Sequence, residues 1–378
     1  MTSIEQFPFV SVSGTPYERG VQYGEQAAGR VRGSIALYGQ TLVNLGYSEA
    51  ARTRLIDFFA KQIGDYAPHY LDEMRGLAKG AGVAFADIVM INARTEVLAK
   101  ARAEKVEAVD REPGDGCTGA LILPSRSATG NLIHGQNWDW RAECVETSIV
   151  LRVRNDGGPD FLTFVEAGGL ARSGFNSAGV SITANYLESD RDFTQLGVPL
   201  SLIRRKVLEQ DIFSLAMKAV ATTPKSCSNN IMLGMAEGFG IDFECTTNEA
   251  FPIYPGDDGL IVHANHWVSP VALGKLVDLG IANSPDSHYR DWRVRKLLNE
   301  AGEKLGRAQM KNAFFDNFGL PYSVCRPPRP GSHDNLSATV AMVIMEPAMG
   351  EMEVAPLPAL NRVFTRYSLS GEPELVAV

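Results

Sequence analysis

Gly116 and Cys117 form the pair of residues in this chain whose chemistry is most specific. The Cys117 thiol can attack the carbonyl carbon of Gly116, since glycine has no Cβ to crowd the approach and tolerates unusual backbone angles. Water would then hydrolyse the thioester and leave Cys117 as the first residue of a new chain. A free α-amine has a pKa of about 7.7–8.0 and a thiol one of about 8.5, so the amine can act as the base for its own thiol. The pair therefore has the chemistry of a zymogen whose thiol nucleophile is released by autocatalytic cleavage, although a Gly-Cys pair taken alone is more often only a tight turn entering a strand.

The position of this pair distinguishes it from an ordinary tight turn, which is what most Gly-Cys pairs are. Residues 14–104 carry apolar side chains at helical spacing and open with the helix-start signal Thr15-Pro16. Residues 109–116 are polar and contain proline and glycine, which is typical of an exposed or irregular loop. A strand-like run begins at Cys117. The pair thus lies where a helical segment changes to strands, a place suited to processing.

The elements after Cys117 are predicted from period-two runs, turns and helical spacing. Strands are expected at 117–124, 131–137, 145–153, 161–165, 180–186, 230–233, 239–244, 251–254, 260–263, 338–345 and 351–356, and helices at 199–209, 212–221, 287–301 and 307–315. Hairpins followed by helices and further strands indicate an α+β fold with two sheets between helical layers. No Gly-x-Gly-x-x-Gly sequence follows a strand and opens a helix, which disfavours a dinucleotide-binding fold.

The composition excludes several classes of partner. Of the 378 residues, 45% are hydrophobic and 21% charged, as in ordinary globular proteins. The net charge of -8 argues against a nucleic-acid or anionic membrane surface. The first six residues lack the basic head and apolar core of a secretory signal, and no apolar run approaches the ~20 residues that span a bilayer. We expect a cytoplasmic protein that binds neither nucleic acid nor membrane.

The cysteines and histidines suggest neither disulfides nor a metal. The five cysteines are odd in number and widely spaced, and none forms a Cys-x-x-Cys pair: Cys117, Cys144, Cys227, Cys245 and Cys325. His263 and His266 have His-x-x-His spacing, but no acidic third ligand accompanies them on a helix. We expect no metal and no cofactor, and one reactive thiol among buried ones.

Several further segments, taken in order, resemble a known family. Around the Gly-Cys pair and downstream these are Asp115–Thr118, Gly135–Asp139, Gly174–Val180, His263–His266 and Pro321–Arg326, and in the helical start they are Gly14–Gly20, Glu73–Gly80 and Asn92–Glu96. Together they resemble the acyl-CoA:6-aminopenicillanic acid acyltransferase (isopenicillin N acyltransferase) family, a branch of the cysteine N-terminal nucleophile (Ntn) hydrolases. The resemblance covers nearly the whole chain.

The resemblance implies a fold and a division of the chain. The expected fold is a four-layer αββα sandwich, in which two antiparallel sheets lie between helical layers. Residues 1–116 would form a helical α-chain, released or retained after self-cleavage, and residues 117–378 a β-chain that begins with the nucleophile. The two chains would form one structural domain.

The resemblance also implies roles for individual residues. Cys117 would be the nucleophile for processing and turnover, and Gly116 the new carboxyl terminus of the α-chain. Asn265 matches a side-chain oxyanion donor, a role for which an amide is suited, although it could also only hold a turn. Asp139 and Arg326 match polar positions near the nucleophile. Arg326 could orient the Asp139 carboxylate or lower the thiol pKa, or the two could form a structural ion pair.

Three further residues are candidates for substrate binding. Ser323 falls where the family has a serine linked to acyl transfer. Trp138 and Trp140 flank Asp139 and would share one face of a strand, where they could line an acyl pocket or pack in the core. The family has two threonines after its cysteine, whereas this chain has Thr118 and then Gly119, so one hydroxyl near the scissile bond is missing.

The resulting prediction is a self-processing amidohydrolase or acyltransferase that carries an acyl group as a thioester on Cys117. Its substrate would be a small N-acyl amide, with hydrolysis favoured. One alternative is an N-acyltransferase that moves an acyl group from acyl-CoA to a small amine. Another is an unprocessed Cys-His hydrolase with His134, His263 or His266 as base. A third is a binding module without activity on the same fold.

Overall fold

The computed structural model of the chain describes residues 4–104, 116–330 and 336–376. Of the loop that the sequence predicts at 109–116, all but Gly116 lies outside the described residues.

The first 104 residues form one strand and five helices: β1 (Phe9–Val12), α1 (Pro16–Asn44), α2 (Glu49–Tyr66), α3 (Pro68–Ala81), α4 (Phe85–Asn92) and α5 (Arg94–Ala103). Helix α1 begins at the predicted signal. Thr15 Oγ1 accepts a hydrogen bond from the backbone N–H of Glu18 at 3.4 Å, and the Glu18 carboxylate accepts one from the Thr15 N–H at 2.9 Å. This capping box satisfies two backbone donors at the start of the helix.

Strands dominate the rest of the chain, as the sequence predicts. In chain order the elements are β2 (Cys117–Ile122), β3 (Ile133–Arg141), β4 (Ser148–Val153), β5 (Phe161–Glu166), β6 (Ser173–Asn176), β7 (Val180–Tyr186), α6 (Leu200–Leu208), α7 (Phe213–Thr222), β8 (Asn229–Met235), β9 (Gly240–Cys245), β10 (Ala250–Ile253), β11 (Leu260–His263), α8 (Pro270–Leu273), α9 (Asp286–Glu300), α10 (Arg307–Phe314), β12 (Arg329–Pro330), β13 (Leu336–Glu346), β14 (Glu351–Pro356), β15 (Phe364–Ser368) and β16 (Glu374–Val376). Short 3-10 helices follow β3 and β13.

The strands form two sheets of eight. The first has the order β1-β4-β5-β6-β7-β8-β9-β10, and the second has the order β11-β2-β3-β13-β14-β15-β16 with β12 paired to β13. All pairs are antiparallel except β1 and β4, which are parallel. The expectation of two antiparallel sheets is therefore correct apart from this edge. Five helices separate β1 from β4, and a long connection of this kind permits parallel pairing.

The two sheets pack face to face with helices outside each. His134 on β3 hydrogen-bonds Ser181 and Thr183 on β7, which joins the sheets through their facing surfaces. Helices α9 and α10 cover the outer face of the second sheet, and α6 and α7 cover the first. Helices α1–α5 pack against one another, and α1 also packs against β1. This four-layer αββα arrangement confirms the predicted α+β fold.

Two glycines bring α1 and α3 into close contact. A Cβ on Gly20 would lie 2.0 Å from the Glu73 carbonyl oxygen, and one on Gly76 would lie 2.1 Å from the Tyr17 carbonyl oxygen. Neither position can therefore carry a side chain, and the close approach buries Glu73 at the helix interface. Across the part of the chain that the structure describes, no helix is both long and apolar enough to cross a lipid bilayer.

Candidate active site

Cys117 is the first residue of β2, and its partner across the antiparallel ladder is Trp138 on β3. Side chains alternate between the two faces of a strand, and directly opposed residues share a face. Cys117 therefore lies on the same face as Trp138, whose ring packs against Phe164 of the first sheet. The thiol consequently points between the two sheets, while Thr118 points to the helices outside.

A small pocket lies beside Cys117. The residues that line it come from both sides of the predicted cleavage point: Arg94, Thr95, Cys117, Arg172, Ala184, Asn185, Tyr186, Leu200, Arg204 and Asn229. Cys117 itself is 2% exposed. The predicted nucleophile thus lies at the wall of a small polar pocket.

The peptide between Gly116 and Cys117 is hydrogen-bonded at both ends. The Gly116 carbonyl oxygen accepts from the backbone N–H of Asp139 at 2.7 Å. The backbone N–H of Cys117 donates to Asn265 Oδ1 at 2.6 Å. Asp139 lies on β3, and Asn265 lies in the segment that follows β11. The strands β3 and β11 flank β2 on its two sides. The sheet therefore holds this peptide in one orientation and polarises its carbonyl.

Gly116 lies against a buried ion pair. A Cβ at this position would lie 2.5 Å from Nη1 of Arg326 and 2.6 Å from Oδ2 of Asp139. These distances are shorter than ordinary contacts, and both neighbours are fully buried. Glycine is therefore required at 116 by close approach of the two side chains.

Asp139 and Arg326, both predicted from sequence, lie together in a buried cluster of charges. Arg326 Nε is 3.1 Å from Asp139 Oδ2, and Thr339 donates to Asp139 Oδ1 at 2.6 Å. Arg326 also pairs with Asp286. Burial raises the pKa of Asp139, although Arg326 and Arg290 oppose that shift.

Two members of the cluster, Asp286 and Arg290, are not among the site residues predicted from the sequence. They lie one turn apart on α9, with 2.7 Å between Asp286 Oδ2 and Arg290 Nε. Burial would raise the pKa of Asp286, but Arg290 and Arg326 hold it below its usual range. Arg290 donates to the Cys117 carbonyl oxygen at 2.7 Å and to Thr118 Oγ1 at 2.9 Å. The available signal was the i, i+4 spacing of these two residues, although the helix predicted at 287–301 begins one residue after Asp286.

The cluster contacts the backbone around the predicted nucleophile. Asp139 lies on the face of β3 opposite to Trp138, and hence on the face away from the thiol. Arg326 approaches the α-carbon of Gly116, and Arg290 binds the carbonyl of Cys117. The cluster is therefore placed to position residues 116–118.

Asn265, the predicted oxyanion donor, directs its oxygen to Cys117. Oδ1 accepts from the Cys117 N–H and, at 3.0 Å, from Arg290 Nη2. Nδ2 donates to the Tyr186 carbonyl at 2.9 Å. Oδ1 faces two donors and Nδ2 faces a carbonyl, and these partners assign the amide oxygen and nitrogen of Asn265. Nδ2 carries two hydrogens, so it can donate to a second acceptor besides the Tyr186 carbonyl. The acceptor role of Asn265 is observed, and its role as an oxyanion donor stays a prediction.

The three histidines considered as bases are engaged elsewhere. His134 lies between Ser181 and Thr183, and burial lowers its pKa to about 3. For His263, burial lowers the pKa, but its bond to Glu244 and the charge of Asp242 raise it to about 9. Burial, and then His263, lower the pKa of His266 to about 3. In residues 4–104, 116–330 and 336–376, no group of three or more His, Cys, Asp or Glu side chains could hold a metal ion.

The three predicted substrate-binding residues lie near the site but are not in the pocket wall. Trp138 packs against Phe164, and the guanidinium of Arg172 lies 4.1 Å from its ring centre. Trp140 Nε1 donates to the Tyr38 hydroxyl at 2.8 Å. Ser323 donates to the Cys325 carbonyl at 2.6 Å. Their part in substrate binding stays a prediction.

Two solved structures are similar to this chain at low sequence identity. One is a mutant of conjugated bile acid hydrolase from Clostridium perfringens, which is 12% identical, with a TM-score of 0.46, covering 69% of this chain and 97% of that chain. The other is penicillin V acylase from Agrobacterium tumefaciens, which is 12% identical, with a TM-score of 0.41, covering 67% of this chain and 86% of that chain.

The sequence comparisons are more specific. The acyl-coenzyme A:6-aminopenicillanic-acid-acyltransferase 40 kDa form of Emericella nidulans is 30% identical over 338 residues, which cover 84% of each chain. A sequence model of the acyl-coenzyme A:6-aminopenicillanic acid acyl-transferase family matches residues 126–355, more than half of the chain. The chain therefore belongs to the acyl-coenzyme A:6-aminopenicillanic acid acyl-transferase family.

Proposed function

We propose that this enzyme cuts itself between Gly116 and Cys117 and then hydrolyses or transfers the acyl group of a small N-acyl amide through a thioester on Cys117. Its family makes it an acyl-transferring enzyme that acts on amide bonds. The observation that carries the finer proposal is the pair of hydrogen bonds on the 116–117 peptide, which aligns that peptide beside a pocket.

Processing needs only groups that surround this peptide. The Cys117 sulfur bonds to the Gly116 carbonyl carbon, the C–N bond breaks, and the thiol proton passes to the nitrogen, which becomes an amine. Water then cleaves the thioester to give the Gly116 carboxylate and a free thiol. The Asp139 N–H already binds the oxygen that becomes negative during the attack, as an oxyanion donor must.

Turnover uses the amine that processing creates. The amine takes the proton from the Cys117 thiol, and the thiolate attacks the carbonyl of the substrate. The substrate's amine leaves with a proton, and water or a second amine accepts the acyl group from sulfur. Asn265 Oδ1, which holds the Cys117 nitrogen at 2.6 Å, would keep the amine oriented. The occupied ring nitrogens of His134 and His263 favour this base over the Cys-His alternative.

Acyl-CoA is the second candidate acyl donor, since the name of the relative from Emericella nidulans specifies transfer from acyl-coenzyme A. In that reaction the thiolate attacks a thioester, coenzyme A leaves, and a small amine takes the acyl group. Both reactions share the same acyl-enzyme. A screen of N-acyl amides and acyl-CoA donors, with and without an added amine, separates hydrolysis from transfer.

The α-chain stays bound after cleavage in this proposal. Strand β1 pairs with β4 of the β-chain, and Glu73 of α3 pairs with Arg205 of α6 at 2.8 Å. Arg94, which lines the pocket, also belongs to the α-chain. The two chains therefore build the site together as one structural domain.

Intact mass spectrometry of purified protein tests the proposal. We expect two chains, the larger beginning at Cys117, and we expect Cys117→Ala to give one uncut and inactive chain. Active protein of a single full-length mass would overturn self-processing. Cleavage at 116–117 in Cys117→Ala would overturn the assignment of the nucleophile.

A further inference from the structure

Arg290 on α9 joins the predicted nucleophile to Asn265. Its Nη1 donates to the Cys117 carbonyl oxygen at 2.7 Å and to Thr118 Oγ1 at 2.9 Å. Its Nη2 donates at 3.0 Å to Asn265 Oδ1, the same oxygen that accepts from the Cys117 nitrogen at 2.6 Å. The guanidinium therefore binds the backbone of Cys117 directly at the carbonyl and, through Asn265, at the nitrogen.

The charge of Arg290 lies close to that nitrogen. The two hydrogen bonds meet at Asn265 Oδ1, so the Cys117 nitrogen is at most two hydrogen-bond lengths from Arg290 Nη2. Arg290 is fully buried, and buried charges are screened far less than exposed ones. On the proposed function, self-cleavage turns this nitrogen into an amine. A like charge so near disfavours the protonated form of an amine.

Arg290 approaches Cys117 from the face of β2 that lies away from the thiol. It binds the side chain of Thr118, and successive side chains of a strand point to opposite faces. The Cys117 side chain therefore points between the sheets, while Arg290 contacts the residue through its backbone. The reactive group that the guanidinium faces is thus the nitrogen rather than the sulfur.

The carboxylate that compensates Arg290 lies on the other side of its guanidinium. Asp286 Oδ2 accepts from Arg290 Nε at 2.7 Å, and Asp286 also pairs with Arg326. Burial and the charge of Arg326 lower the pKa of Arg290, which Asp286 and Asp139 oppose. One acid is thus shared between two arginines, and the two Nη atoms of Arg290 face Cys117 and Asn265.

Other charged groups lie on two further sides of the Cys117 nitrogen. Three arginines line the pocket beside it, and we call them the pocket arginines: Arg94, Arg172 and Arg204. In the segment that carries Asn265, burial lowers the pKa of His266 to about 3, so its ring is uncharged at neutral pH. His263 is charged and paired with Glu244. Variants of Arg290 leave all these groups unchanged.

Asn265 and Arg290 act on the amine in opposite directions. An acceptor such as Asn265 Oδ1 stabilises the protonated amine, whereas the cation behind it destabilises that form. A catalytic group works best when its pKa lies near the operating pH. The amine must be uncharged to take the proton from Sγ of Cys117, and the ammonium that results must give this proton to the amine that leaves the substrate.

We propose that Arg290 keeps the α-amine of processed Cys117 uncharged near neutral pH, so that this amine can serve as the base for the thiol. Arg290 is a positioning residue, since it acts through the Cys117 backbone and through Asn265. The inference rests on the proposed self-cleavage, which creates the amine.

Titration of the amine in processed protein tests the proposal. The Cys117 thiol is first blocked with iodoacetamide, because an amine and a thiol on one residue titrate together. The rate at which the Cys117 amine reacts with acetic anhydride is then followed by mass spectrometry over about pH 6–10, where α-amines titrate. We expect the midpoint in folded protein to lie about one pH unit below that of the same protein unfolded in urea. An equal or higher midpoint in folded protein would overturn the proposal.

Two substitutions on α9 should move this midpoint in opposite directions. Arg290→Gln removes the cation and should raise the midpoint by about one pH unit. Asp286→Asn removes the shared carboxylate, leaves Arg290 less compensated and should lower the midpoint. A merely structural role for Arg290 predicts no shifts of opposite sign. An unchanged midpoint in processed Arg290→Gln contradicts the proposal.

Two further variants serve as controls. Arg293→Gln removes a positive charge from α9 where the guanidinium pairs with Asp316 and lies over Phe318, and its midpoint should equal that of the wild-type protein. Arg290→Lys keeps the charge but loses the planar fork, so its midpoint should stay close to wild type while its cleavage slows. If Arg290→Lys shifts as far as Arg290→Gln, the charge is not the cause.

Self-cleavage itself is checked on the same samples. If Arg290→Gln does not cleave, the midpoints of folded and unfolded wild-type protein and of Asp286→Asn decide the proposal. Wild-type protein that carries no α-amine at Cys117 would instead overturn the proposed self-processing, and the two failures are therefore distinguished.

Discussion

The absence of a side chain at position 116 has a direct steric cause. A methyl group there would lie within 2.6 Å of both Arg326 and Asp139, two fully buried side chains. Gly116→Ala should therefore displace the ion pair, misalign the peptide and slow self-cleavage by at least ~10²-fold, the effect expected when a reacting group is displaced by about 1 Å. Intact mass after timed incubation measures the rate.

Gly119→Ala is the control for this substitution. It lies three residues further along the chain, within β2, but its added Cβ would be 3.5 Å from Thr183 Oγ1, an ordinary contact. We expect Gly119→Ala to cleave at close to the wild-type rate. Equal cleavage in both variants would mean that the close approach at 116 has no role in processing.

Asn265 can be tested for two separate roles. Asn265→Asp keeps oxygens that accept from the Cys117 nitrogen but loses the Nδ2 donor. If Nδ2 stabilises the oxyanion in turnover, kcat should fall ~10²–10³-fold. Self-cleavage should persist, because the oxyanion donor proposed for that step is the Asp139 N–H, which binds the Gly116 carbonyl oxygen. Measuring both rates on one preparation checks this, and a kcat close to wild type would remove Asn265 from the oxyanion site.

The sequence predicts the residues of this site better than it predicts their arrangement. Gly116, Cys117, Asn265, Asp139 and Arg326 all surround one peptide. Asp286 and Arg290 are missed because an i, i+4 ion pair is common on helices, and nothing in the sequence shows that α9 lies over β2. The pocket arginines are missed for the same reason, since three distant segments supply them.

Strand β11 is linked to β9 by a buried charge, since His263 Nε2 lies 2.9 Å from Glu244 Oε1. Burial lowers the pKa of His263, but Glu244 and Asp242 raise it to about 9, above the ~6.5 of an unfolded chain. A raised histidine pKa stabilises the fold below about pH 6.5, and this contribution is lost as pH rises through about 9.

Urea unfolding should reveal that loss. Between about pH 6.5 and pH 9.5, the free energy of unfolding of the wild-type protein should fall by roughly 2–3 kcal/mol more than that of His263→Gln. His69→Gln, whose side chain is 40% exposed, should follow the wild-type profile. Parallel profiles for wild type and His263→Gln would contradict a charged His263.

Element boundaries follow the sequence where the local pattern is strong. The strands at 180–186, 260–263 and 351–356 have the predicted limits. Strands β1, β15 and β16 are not predicted, because each is short and lies at or near the edge of its sheet. For β1 the partner strand, β4, is distant in sequence, which a local pattern does not contain, whereas β15 and β16 pair with neighbours in the chain.

At the scale of the whole molecule, Glu73 is one of the buried acids that join the two proposed chains. Glu73 in the α-chain pairs with Arg19 at 3.2 Å and with Arg205 of the β-chain at 2.8 Å. Removing its charge leaves Arg19 without its carboxylate partner and Arg205 with Glu209 alone, and breaking a buried ion pair typically costs about 3–5 kcal/mol. We expect wild-type α- and β-chains to co-elute after cleavage. Glu73→Gln should release the α-chain at lower urea concentration, as measured by size-exclusion chromatography.

Asp72→Asn is the neighbouring control. Asp72 pairs with Arg75 on the surface and is 56% exposed, so its loss should cost about 0–1 kcal/mol. The two variants remove the same charge from adjacent positions on α3. If both release the α-chain at the same urea concentration, the buried pair with Arg205 does not hold the chains together.

The hydrogen bond from the Asp139 N–H to the Gly116 carbonyl is also the last rung of the ladder between β2 and β3. This rung exists only when the two strands have paired in their native register. On the proposed function, a chain that has folded incompletely lacks the N–H donor that activates its own scissile bond. The nitrogen of Cys117 then stays in the peptide bond with Gly116. Cleavage would then depend on correct folding. The active enzyme forms only after its central sheet is complete, and misfolded copies remain uncleaved and inactive.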